Sequence, residues 1–64
     1  MPTVKLYEVP NDTRIRVIDE EYKKETGKYM EVNFHHLDGA YSYCEDDEGN
    51  AIHLATWTRV EIVK

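Results

Sequence analysis

From Lys28 to Lys64 the chain alternates apolar and polar residues with period two and breaks the alternation at two turn-forming clusters, a pattern suited to paired β-strands. Met30, Val32, Phe34 and His36 are expected on one face, and Tyr29, Glu31, Asn33 and His35 on the other. The hairpin that follows decides which residues share a core. A two-residue Asp38-Gly39 turn would set Phe34 opposite Tyr43 and Val32 opposite Glu45. A three-residue Leu37-Asp38-Gly39 loop would set Phe34 opposite Ser42 and Val32 opposite Cys44. The next turn, DDEGN, favours a type I turn with Gly49 left-handed, pairing Cys44 with Ile52 and Ser42 with Leu54. Combined with the three-residue loop, it yields a continuous inner face of Val32, Phe34, Cys44, Ile52 and Leu54. That register is expected, because a one-residue slip would bring Glu45 into line with the core.

The first half is less regular. Val4 to Val9 reads as a strand ended by Pro10-Asn11-Asp12, and Ile15 and Val17 alternate with Arg14 and Arg16 in a second, half-buried strand. Asp19 to Gly27 can make two helical turns ending at Gly27, or a charged loop with a single helical turn; the charge density favours exposure in either case, and the loop is the expected form. After Trp57, Val60 and Ile62 alternate with Arg59, Glu61 and Val63 in a last strand whose partner is distant in sequence. Five short strands, a variable loop, a tight meander and a brief break before the last strand describe an all-β, small SH3-like antiparallel barrel. An oligonucleotide-binding barrel and an open sheet packed on one helix are the alternatives.

A chain of 64 residues is expected to form one domain, residues 1–64. At this length only about 60% of the unfolded chain's surface is buried on folding, so the core is thin. The formal net charge of −5 disfavours general attraction to nucleic acid or an anionic membrane and suits a basic partner. The lone cysteine, Cys44, rules out an internal disulfide framework and fits a reducing, cytoplasmic setting. No apolar run approaches the ~20 residues of a membrane span, and Met1 to Pro10 carries no signal-peptide core.

The segments HHLDGAYSYC and GNAIHLATWTRVEIV resemble small bacteriophage accessory proteins with SH3-like organisation, and the resemblance covers Lys28 to Val63. It implies a protein that works in the cytoplasm of an infected bacterial cell by binding another protein, as an accessory factor or an inhibitor of a host protein. It brings no catalytic residues with it.

Each chemical reading has an ordinary competitor. His35, His36 and His53 with Cys44 are zinc-ligand types, but the expected faces separate His35 and His53 from His36 and Cys44, so no metal or other cofactor is expected. The same separation disfavours covalent catalysis by Cys44 with His53 as base, and no other nucleophile arrangement or phosphate-binding glycine motif supports an enzyme. Glu45, Asp46, Asp47 and Glu48 lack the spacing of a calcium loop and read as a solvated turn. Tyr41, Tyr43 and Trp57 could stack on bases beside Arg14, Arg16 and Arg59, but the acidic balance ranks a nucleic-acid module second. An acidic surface could instead mimic nucleic acid on a basic protein.

The expected pairing places Asn33, Tyr43 and His53 in one outward row, and His35, Tyr41 and Ala55 in its neighbour. Tyrosine offers broad apolar contact with a hydroxyl, and histidine and asparagine add directional hydrogen bonds. Asn33, His35, Tyr41, Tyr43 and His53 are therefore the candidate partner-binding residues, unless barrel curvature covers them. Trp57 is expected to anchor the core or a barrel end.

Overall fold

The computed structural model describes residues 3–63, so the expected domain extends at both ends beyond the described residues. Within them lie β1 (Val4–Lys5), a 3-10 turn (Leu6–Glu8), β2 (Thr13–Val17), α1 (Glu20–Thr26), β3 (Met30–Asp38), β4 (Tyr41–Glu45), β5 (Ala51–Ile52) and β6 (Arg59–Ile62). The strands form one antiparallel sheet in the order β1-β6-β2-β3-β4-β5. Its two ends are joined through the segment between β5 and β6: Thr56 N–H donates to Ala40 O at 3.1 Å, Tyr7 N–H to Thr56 O at 3.0 Å and Leu6 N–H to Thr58 O at 2.9 Å. The result is a small all-β, SH3-like barrel. As expected, the last strand pairs with segments remote in sequence, β1 and β2.

The β3–β4 hairpin takes neither expected register. Its turn is Gly39-Ala40, with Asp38 opposite Tyr41 and Gly39 at φ 65°. Only the first central residue has positive φ, the pattern of a type II′ turn, which asks for glycine there and accepts alanine next. Carried unbroken, this register would bring Phe34 opposite Glu45. A β-bulge between Phe34 and His36 absorbs one residue, so Phe34 pairs with Cys44 and Asn33 with Glu45. The expected apolar face survives, but Val32 does not pair with Cys44. His36 correspondingly leaves the inner face: with His35 it stands opposite Tyr43, and it is exposed.

On β4 and β5 the expected pairing holds, with Cys44 opposite Ile52 and Ser42 N–H donating to Leu54 O at 2.8 Å. The buried core comprises Leu6, Val9, Ile15, Val17, Val32, Phe34, Cys44 and Val60, with Val4, Met30, Ile52, Leu54 and Ile62 packed around it. Ser42 is the one buried polar residue among those described. Its hydroxyl donates to Leu54 O at 3.0 Å, accepts from Leu54 N–H at 3.2 Å and lies 3.4 Å from Cys44 Sγ. Ser42→Ala strips the hydroxyl acceptor from the Leu54 N–H and is expected to cost about 1–3 kcal/mol, read as a lower urea midpoint at unchanged slope.

Residues 20–26 are helical where a loop was favoured. Asp19 caps the helix, its Oδ1 accepting from Glu21 and Tyr22 N–H at 3.1 and 3.2 Å, and Gly27 closes it in the left-handed conformation at φ 87°. None of the helix residues is buried, so local caps rather than an apolar stripe define it. Tyr29 ties it to β3 through a 2.8 Å hydrogen bond to Glu20, and Lys23 Nζ lies 4.6 Å from the Tyr29 ring centroid. The expected first strand is likewise shortened, turning into the 3-10 segment after Lys5.

Candidate functional site

The outward face of β3, β4 and β5 gathers all three histidines around one ring. Tyr43 lies 5.5 Å from His35 at a 40° tilt, 5.6 Å from His36 at 10° and 5.8 Å from His53 at 65°, measured between ring centroids. The bulge causes this, because both residues of the widened step face the side of their single partner, Tyr43. His53 lies across from Tyr43 on the β5 side, and its Nδ1 sits 3.1 Å from Ser42 O. A carbonyl can only accept, so this geometry selects the Nδ1–H form of His53 for that hydrogen bond. His35 lies between two carboxylates, Nδ1 being 3.5 Å from Asp12 and Nε2 3.7 Å from Glu45, contacts that become ion pairs when the ring is protonated.

Of the five candidate residues, His35, Tyr43 and His53 come together. Asn33 does not join their row: it pairs with Glu45 and accepts from Arg14 at 3.3 Å. Tyr41 lies one outward position along β4 from Tyr43 and is bridged to Ala55, which continues the β4–β5 pairing in the expected register. The aromatic surface continues there. Tyr41, Tyr7 and Trp57 are 57%, 56% and 61% exposed, on segments joined by the backbone bonds of Ala40, Thr56 and Tyr7. Trp57 is thus no core anchor. Strand alternation reaches neither residue: Trp57 sits in a turn closed by Thr58 N–H donating to Ala55 O at 3.0 Å, and Tyr7 lies in the 3-10 segment, so no period-two signal marks them.

Beside this surface lies a charged network. Arg14 grips Asp47 with two bonds of 2.8 and 3.1 Å, and Arg16 bonds Glu31 at 3.2 Å and approaches Glu61 at 3.5 Å. The Arg14 hydrogen bond and charge lower the Asp47 pKa, while Asp46 is lowered first by the Asn50 backbone N–H. Such depressed carboxylates stabilise the fold above their ordinary pKa, and that contribution disappears as pH falls through the folded value. Asp47→Asn is therefore expected to flatten the fall of the melting midpoint between about pH 5 and 2, an exposed-pair effect that added salt reduces.

Among the described residues no group of three or more His, Cys, Asp or Glu is arranged to hold a metal ion. Cys44 faces the core, away from His53, and burial raises its thiol pKa against the opposing effect of its contact with the Ser42 hydroxyl. That environment disfavours a nucleophilic thiolate. No helix among the described residues is long and apolar enough to cross a membrane. Compared with protein-family models, curated proteins and solved structures, the chain finds no match.

Proposed function

We propose that this chain is a non-enzymatic protein-interaction module that docks a basic protein on its outward aromatic surface. The exposure of Tyr7, Tyr41 and Trp57 on adjoining segments carries the reading. Large aromatics exposed on segments joined by backbone bonds, with Tyr41 one outward position along β4 from Tyr43, supply the contact area and desolvation that interface anchors use. The net charge of −5 complements a basic partner and speeds encounter with it. The resemblance to small bacteriophage accessory proteins directs the search to the cytoplasm of a bacterial host, where the module acts as an accessory factor or as an inhibitor of the protein it covers.

The competing nucleic-acid reading draws little support from two of its three arginines, because Arg14 and Arg16 are engaged by Asp47, Glu31 and Glu61, while Arg59 is exposed. Affinity capture from bacterial extract, run beside salt-dependent DNA and RNA binding, separates the two. Capture of a basic protein is expected, with purified partner and module re-forming the complex. Specific nucleic-acid binding with no reconstituted protein complex would overturn the proposal.

A further inference from the structure

Among the described residues, the hydrogen-bond phase of the β4–β5 hairpin leaves one edge of the sheet open. Asp46 N–H donates to Asn50 O at 3.0 Å and Ser42 N–H to Leu54 O at 2.8 Å, with Cys44 opposite Ile52 between them. Antiparallel ladders alternate bonded and non-bonded pairs, so Ala51 and His53 turn their N–H and C=O groups away from β4. β5 ends the strand order, and both residues are exposed. The opposite edge is treated differently: the Lys5 N–H, which the same alternation turns away from β6, donates to the Glu8 carboxylate at 3.2 Å.

Next to the open edge lies a cavity of about 470 Å³ whose lining includes Ile52, Met30, Tyr22 and Tyr29, with Asp46 and Glu48 on the turn before β5. Two cations also line it. Arg14 is matched by Asp47 and Glu31, and the Asp46 carboxylate accepts from Glu48 and Asn50 within its own turn; with Glu48 added, the lining holds four carboxylates against Arg14 and Lys28 and stays acidic. The chemistry suits a cation with an aliphatic stem, and Lys23 against the Tyr29 ring shows one such contact within the chain.

We propose that the β5 edge from Ala51 to His53 accepts an extended segment of a basic partner as an added strand. The segment pairs its backbone with Ala51 and His53 and directs a lysine or arginine into the cavity beside Ile52. This rests on the protein-interaction reading and specifies the form of the partner. Amide hydrogen exchange of the full chain tests it, using short synthetic peptides that alternate lysine with valine or glutamate with valine. In the free protein the Ala51 and His53 amides are expected to exchange fast. Saturating lysine–valine peptide should slow both by about tenfold or more, with a much smaller effect from the glutamate–valine peptide. Ala51→Pro, which removes an outward donor at an edge position, should weaken the protection at His53 while leaving a folded protein.

No slowing, or equal slowing by both peptides, would overturn the proposal. So would slowing that rises with protein concentration without peptide, because the occupant would then be a second copy of this chain. If the edge fails while partner capture still depends on Tyr41 and Trp57, the docking surface stands without the added strand.

Discussion

Phe34→Ala is expected to abolish cooperative folding. Phe34 is fully buried, stands between Thr13 of β2 and Cys44 of β4, and is the largest side chain of the core. Truncating such a residue costs about 3–5 kcal/mol in lost transfer energy and residual cavity. Stabilities of about 0.05–0.15 kcal/mol per residue put a chain of 64 residues at about 3–10 kcal/mol, and its thin core places it toward the low end, so little margin remains. Circular dichroism should show no sigmoidal melt for the alanine variant. Phe34→Leu, which keeps most of the apolar volume, should still melt cooperatively at a lower midpoint. A Phe34→Ala variant melting close to the parent would show that the barrel core is not organised around this ring.

Trp57→Ser and Tyr41→Ser are expected to have the opposite profile, each weakening partner binding by about 2 kcal/mol or more, roughly thirtyfold, with little change in melting. Their rings are more than half exposed, so truncation removes contact area from the surface without opening a cavity. Tyr43→Ser is a useful contrast. Its ring is half-buried among three histidines, so that change should lower the melting midpoint as well as affinity. Unchanged affinity in folded Trp57→Ser and Tyr41→Ser variants would remove this surface from consideration.

Much of the barrel was legible because its signals are local. Period-two alternation identified the inner face, and the DDEGN turn selected the β4–β5 pairing with Cys44 opposite Ile52. The β3–β4 register was not legible in the same way. Alternation constrains which side chains share a face, but a bulge can exchange one turn for another without changing the apolar set. Here the Gly39-Ala40 turn and the extra residue at His35–His36 offset each other. Alternation alone therefore puts His36 inward and Asn33 in the row of Tyr43, whereas the bulge turns His36 outward and sets Asn33 opposite Glu45. The helix carries no apolar stripe, because none of its residues is buried, and its only sequence signals are the Asp19 and Gly27 caps.

By itself, then, the sequence determined strand character, the apolar inner set, the outward parity of Tyr41 and Tyr43, and the acidic balance, all of which depend on residue type and spacing along one segment. Only the tertiary structure decided that three histidines converge on Tyr43 and that Tyr7 and Trp57 join Tyr41 where the barrel closes. Those arrangements depend on pairings between segments far apart in the chain and on where the sheet places its one-residue irregularity. The open β5 edge combines the two: the local turn sets the phase of its hydrogen bonds, while the strand order leaves that edge without a neighbouring strand among the described residues.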